Sequence, residues 1–182
     1  MNRAMSLTEQ QANVLRGMGL GIFVSLLLVL YGIIFNPFSF SESEAMDDRI
    51  VVLARCLLIP LSVLIISIAR IARYRFFSSE DIDSTAASTP SSPLLCLQSL
   101  LQNTLEQTIL AAFVYCLWIV MTPSVWLSVL PLSACCFLIG RILFIKGFRK
   151  GAVSRALGFA LTFYPTVILF VLIVIRDLLS LG

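Results

Sequence analysis

Five apolar stretches, each close to the length of a bilayer crossing, leave this 182-residue chain few ways to fold. They run roughly from Met18 to Phe35, Ile50 to Ile71, Leu94 to Val120, Val125 to Ile145 and Ala156 to Ile175. A helix rises ~1.5 Å per residue, so about 20 residues cross a hydrocarbon core ~30 Å thick. Lipid offers the backbone no hydrogen-bond partners, which restricts spanning segments to helices or closed barrels, and runs of this length read as helices. The expected fold is therefore all-α, an integral membrane bundle of five transmembrane helices. A content of 59% hydrophobic and only 13% charged residues places the chain in the membrane class rather than among soluble domains. The first run exceeds a signal-peptide core of about 7 to 15 residues and no A-x-A cleavage signature follows it, so it reads as an uncleaved anchor.

Charge placement predicts the topology. With five crossings, nine basic residues (Arg3, Arg16, Arg70, Arg73, Arg75, Lys146, Arg149, Lys150, Arg155) fall on one side against three (Arg49, Arg55, Arg176) on the other. The positive-inside rule then makes the N-terminus cytoplasmic. The loop from Asn36 to Asp48, with four acidic residues and no cation, lies outside. The Ser/Thr/Pro-rich segment 78–93 reads as a flexible cytoplasmic connector. This organises the chain as residues 1–49, an N-terminal transmembrane helix with an outer acidic loop, followed by a four-helix domain over 50–182. A net charge of +3 gives no argument for nucleic acid as a partner. The chain has no histidine, which excludes imidazole triads and most zinc sites, and no metal site is expected. Five cysteines without CxxC spacing, most of them inside apolar runs, read as packing residues rather than a disulfide framework.

The third run carries Gln98, Gln102, Asn103, Glu106 and Gln107 along its first half. On a helix Ser99, Gln102, Asn103 and Glu106 fall on one stripe. A carboxylate at helix centre costs about 2.5 to 3.5 kcal/mol, so Glu106 is expected to face a protein interior or a wet cavity, with a cationic partner. Arg141, in the next run, is the candidate. Counted along untilted helices, Glu106 lies roughly 21 Å and Arg141 roughly 22 Å from the outer boundary, level with one another. A cationic rim of Arg70, Arg73, Lys146, Arg149 and Arg155 lies below them. Such a group can serve as a ligand site or as a polar brace that fixes helix register, and the rim can equally attract anionic lipid headgroups.

NTLEQ at 103–107, GRILFIKGF at 140–148 and RKGAVSR ending at Arg155 together resemble the MAPEG family, the membrane-associated proteins in eicosanoid and glutathione metabolism. The likeness covers the last four helices, about Ile50 to Ile175. The additional N-terminal helix makes the layout look like that of the five-span, mattrin-like members. What the resemblance implies is a homotrimer of four-helix bundles in the membrane, holding glutathione between neighbouring subunits near the cytoplasmic face. Asn103, Glu106 and Arg141 match the residues that hold the tripeptide. Arg70 and Arg73 correspond to basic residues ending the first family helix, and Arg155 matches the arginine that polarises the thiol. The activity implied is glutathione transfer to, or reduction of, a lipophilic small molecule. The chain departs from the family's synthases at Ser99, where they carry arginine, and at Phe148, where they carry tyrosine. Loss of a charge-assisted anchor forfeits about 1.5 to 3 kcal/mol and loss of a hydroxyl about 0.5 to 1.5 kcal/mol. These departures favour the alternative, a non-catalytic membrane protein that binds lipid or another membrane protein.

Overall fold

The computed structural model describes residues 8–82 and 90–180. Its elements are α1 (Glu9–Phe35), α2 (Met46–Phe77), α3 (Ser92–Met121), a 3-10 turn (Ser124–Trp126), α4 (Val129–Phe148) and α5 (Ala152–Ser180). All five α-helices are long and apolar enough to cross a membrane, as the hydropathy predicts. α1, α2, α3 and α5 also overrun their apolar stretches, whereas α4 starts at Val129, inside its run, after the 3-10 turn. α2 starts at Met46, so Asp47 and Asp48 sit in its first turn, where carboxylates meet the positive end of the helix dipole, instead of in the preceding loop. Its other end continues to Phe77 through Arg70, Arg73 and Arg75, whose long stems let the charged heads leave the apolar layer. α1 opens with a capping box in which the Thr8 hydroxyl accepts from the Gln11 amide and the Gln11 side chain accepts from the Thr8 amide.

α5 packs chiefly on α4 and α1, whereas α2 packs on α3 and α4. Close approach at the α1–α5 and α4–α5 contacts depends on missing side chains. A Cβ at Gly21 would stand 2.2 Å from Ala160 Cβ, and one at Gly158 would stand 2.3 Å from the Phe144 backbone nitrogen. Between membrane helices, where lipid removes the hydrophobic drive to associate, such contact surfaces supply the attraction. The α1 stripe that faces inward is Gly21, Ser25, Val29 and Gly32; Gly19 looks into open space. The main core gathers Tyr115, Trp118, Leu127, Leu130, Phe137 and Leu169 from α3, α4, α5 and the turn between α3 and α4.

Two polar knots tie the ends of the bundle. At one end Arg49 donates to the Thr122 carbonyl at 2.6 Å and to the Ser124 hydroxyl at 3.1 Å, while Arg176 Nε donates to the Met121 carbonyl at 3.1 Å. These guanidinium groups satisfy carbonyls left open where α3 ends and complement its dipole. At the opposite end Asp81 closes the α2–α3 connection, accepting from the Ser91 hydroxyl at 2.6 Å and the Ser91 amide at 3.1 Å. The structured ends of this connection are thus longer than a flexible linker over 78–93 implies; residues 83–89 lie outside the described residues.

Candidate functional site

α3 is rotated so that its polar stripe divides. Gln107 is buried and Asn103 half-buried toward the bundle, while Gln102 and Glu106 lie exposed on its outer face. Arg141, fully buried on α4, donates through Nη1 to Asn103 Oδ1 at 2.8 Å and through Nη2 to the Thr162 hydroxyl. Thr162 in turn donates to the Phe159 carbonyl at 2.8 Å. The guanidinium also stands over the Phe144 ring, 4.5 Å from its centroid. A close approach of α4 and α5 at Gly140 and Gly158 is what lets Arg141 reach across to α5.

The expected Glu106–Arg141 ion pair is therefore not formed. Glu106 instead accepts from Gln102 Nε2 at 2.9 Å, one turn earlier on its own helix. Equal depth brings two groups to one level but leaves the helix rotation undetermined, and the apolar residues Leu97, Leu100 and Ala111 turn α3 so that residue 103 points in and residue 106 out. Arg141 keeps its charge between neutral oxygens and an aromatic face, with Nε left without a partner among the described residues. Each hydrogen bond to a charged group contributes about 1.5 to 3 kcal/mol, so the polar ligands offset part of its desolvation.

Asn103 also forms part of the lining of a cavity of about 540 Å³ between α1, α3, α4 and α5. Arg155 stands in the same cavity, its guanidinium 4.7 Å from the centre of the Phe148 ring, and it makes no side-chain hydrogen bond among the described residues. Stacking of this kind holds the planar fork in place without using its donors. Phe144, Phe148 and Phe159 form an aromatic panel, with Phe144 centred 5.4 Å from Phe148 and 6.4 Å from Phe159. Ser99 and Phe148, the two positions of departure, both line this cavity. A free cation beside an apolar wall is suited to lowering the pKa of a bound thiol.

Arg70 and Arg73 lie elsewhere. They line a second cavity, about 640 Å³, with Arg149, Tyr74, Phe77, Ser78 and Leu97. The structure thus joins Asn103 with Arg141 and Arg155, and separates both Glu106 and the Arg70/Arg73 pair from that group. The sequence does not single out Thr162, whose only signal is a hydroxyl in an apolar run, one turn after Gly158. Nor does it single out Val14 and Met18, α1 residues that line the cavity of Asn103 and Arg155.

Near the second cavity, the Tyr74 hydroxyl lies 3.1 Å from Ser91 Oγ, which links it to the Asp81 clamp. The Ser91 hydroxyl, the Ser91 amide and the Ser78 hydroxyl hold the Asp81 carboxyl below its usual pKa, with a smaller contribution from the charge of Arg75.

No curated protein and no solved structure matches the chain. The MAPEG family model matches residues 50–175, which takes in α3, α4, most of α2 and α5 to Ile175, with Asn103, Glu106, Arg141 and Arg155 inside the match and α1 outside it. This helical, membrane-spanning chain belongs to the MAPEG family.

Proposed function

We propose that the protein binds glutathione, or a similar anionic thiol, between copies of itself in the membrane and joins it to, or uses it to reduce, lipophilic electrophiles arriving from the bilayer. The observation that carries this reading is the Arg155 guanidinium, stacked on Phe148 and without a side-chain hydrogen bond among the described residues, in a cavity shared with Asn103. The anionic ends of the tripeptide require more cations than that cavity offers. Arg70, Arg73 and Arg149 form a cationic group without an ion-pair partner among the described residues, and Glu106 is an exposed carboxylate without one. Both surfaces are completed when the α3 face of one copy meets the basic end of the next, and a closed ring of three copies satisfies every such face. The more basic end is cytoplasmic in this arrangement, where glutathione is available.

In the reaction Arg155 stabilises the thiolate by its charge, while the proton leaves to solvent. In conjugation the sulfur lone pair forms the bond to the electrophilic carbon, and the leaving atom takes the bonding pair and later a proton; in reduction the sulfur attacks the outer oxygen of a hydroperoxide, the O–O bond breaks, the alcohol leaves with a proton, and a second thiol displaces water to give the disulfide. Asn103 orients the tripeptide, and Arg141, held behind the wall, fixes Asn103.

A second reading is favoured by the engagement of Asn103 Oδ1 with Arg141. Here the polar group is a brace alone, and the protein is non-catalytic, binding lipid or another membrane protein. Glutathione titration of the purified chain in detergent, followed by thermal unfolding, separates the two. A rise in midpoint at millimolar glutathione, lost in Arg155→Ala, supports the first. An unchanged midpoint in wild type and Arg155→Ala alike leaves the second.

A further inference from the structure

Of the arginines at the basic end of α2, Arg75 is the one that the function proposed above leaves unused. At about 3.6 residues per turn it lies roughly 200° around the helix from Arg73, so α2 divides its cations between two faces. One face serves the cavity of Arg70, Arg73 and Arg149. The other opens into a groove of about 340 Å³ between α2 and α3, lined by Ile68, Ile71, Ala72, Arg75, Gln98 and Leu101. We propose that this groove binds an anionic glycerophospholipid of the leaflet at the basic end, its phosphodiester on Arg75 and Gln98 and one acyl chain along Ile68 and Leu101. The inference goes beyond the glutathione reading and shares no cation with it.

The polar end of the groove is built and unengaged. Arg75 Nε is buried without a partner among the described residues, which places the stem between the helices, while the Nη donors stay accessible and make no hydrogen bond there. A guanidinium fork meets phosphate oxygens two at a time, which a lysine ammonium does not. Gln98, half-buried on α3, adds an amide with no side-chain partner among the described residues. Asp81, the nearby carboxylate, is taken up by the Ser78 and Ser91 hydroxyls and the Ser91 amide, and forms no ion pair with Arg75 among the described residues.

The apolar end decides between a lipid and a soluble anion. Ile68, Ile71, Ala72 and Arg75 are spaced i, i+3, i+4 and i+7, one stripe of a helix, so the wall runs inward from the cation along α2. Seven residues at ~1.5 Å each give about 10 Å of wall, a third of a hydrocarbon core ~30 Å thick. Ile68 is exposed at its rim, whereas Ile71 is buried at its floor against Leu94 and Leu97. A phosphate in solution would leave that wall bare; an acyl chain covers it. No carboxylate lines the groove, so a choline or ethanolamine group meets no counter-charge, and a headgroup of net negative charge is preferred.

The test uses the full chain in detergent and native mass spectrometry, which counts the lipids retained per chain. The probes are dioleoylphosphatidylglycerol, dioleoylphosphatidylcholine and glycerol 3-phosphate. Wild type is expected to bind phosphatidylglycerol roughly fivefold more tightly than phosphatidylcholine, the effect of one basic residue beside an anionic headgroup, and glycerol 3-phosphate not at all. Arg75→Gln should weaken phosphatidylglycerol binding roughly tenfold, as loss of a charge-assisted bond does, and Arg75→Lys should recover only part of it. Ile68→Trp, which fills the apolar end, should weaken both lipids. Lys146→Gln removes an exposed cation of the same end that does not line the groove, and should leave the affinity nearly unchanged. Should Arg75→Gln fail to fold, Ile68→Trp carries the same comparison. Equal losses in Arg75→Gln and Lys146→Gln would assign retention to general surface charge and overturn the proposal. So would binding of glycerol 3-phosphate as tight as that of the lipid, or lipid retention unaltered in Ile68→Trp.

Discussion

Asn103 and Arg141 hold one another across α3 and α4, Oδ1 to Nη1 at 2.8 Å, and this contact rather than an ion pair keeps a guanidinium inside the bundle. Removing Asn103 while the cation stays leaves a buried charge short of a ligand. Asn103→Leu should destabilise the chain by about 1.5 to 3 kcal/mol. Adding Arg141→Met should recover much of that loss, because a buried charge and its ligand can be replaced together by apolar groups at little cost. A double-mutant cycle on unfolding midpoints in detergent checks the coupling; strictly additive losses would show that the two residues act independently.

The α1–α5 contact predicts a position-specific response to small substitutions. Gly21→Ala places a methyl group 2.2 Å from Ala160 Cβ and should cost about 1 to 3 kcal/mol, the usual range for overpacking. Gly19→Ala, two residues away, meets nothing within 4 Å and should leave the midpoint unchanged or slightly raised. Equal effects at both positions would mean that α1 does not pack on α5 through this face.

Asp81 gives the α2–α3 connection a pH dependence of known sign. The Ser91 and Ser78 hydrogen bonds hold its carboxyl below the usual carboxylate value, so the unfolded connection takes up the proton first. Its contribution is therefore complete above an ordinary Asp pKa of ~3.9 and is lost as pH falls through the lower folded value. Hydrogen exchange at the Ser91 amide, which donates to Asp81 Oδ1, should quicken on acidification below that range. Asp81→Asn should exchange faster than wild type near neutral pH and lose this additional acid-induced step.

Ser99 and Phe148 offer a gain-of-function test. Both line the cavity of Asn103 and Arg155, and both stand where the family's synthases have polar anchors. Ser99→Arg restores a charge-assisted bond of about 1.5 to 3 kcal/mol, and Phe148→Tyr adds about 0.5 to 1.5 kcal/mol. Together they should tighten glutathione binding by tenfold or more, since ~1.4 kcal/mol is tenfold. Calorimetric titration of the double variant against wild type measures this; no gain would argue that the cavity is not the tripeptide's site.

Much of the architecture is legible in the sequence. Apolar runs of bilayer length predict five helices because solvation in lipid leaves the backbone almost no alternative. The same runs do not show where helices stop, and α2 extends past both ends of its run by placing Asp48 and Arg75 on a continuous helix. Asn103 and Arg141 stand out in the sequence because polar groups in a span need partners, and the structure joins them. The choice of partner was not legible. Depth places Glu106 and Arg141 level, but rotation of α3 is decided by packing of Leu97, Leu100 and Ala111, and a hydroxyl on α5, Thr162, takes the place assigned to the carboxylate. Val14 and Met18 were invisible because their role depends on how α1 docks, which no local pattern encodes.

Arg49 and Arg176 both grip the corner where α3 ends, so α2, α3 and α5 share one fixed joint. The cavity lies at the far side of the bundle, roughly 30 Å along α5 from Arg176 to Arg155. The joint and the cavity share no side chain, so loosening the one, as in Arg49→Ala, should lower the unfolding midpoint while leaving the walls of the other in place.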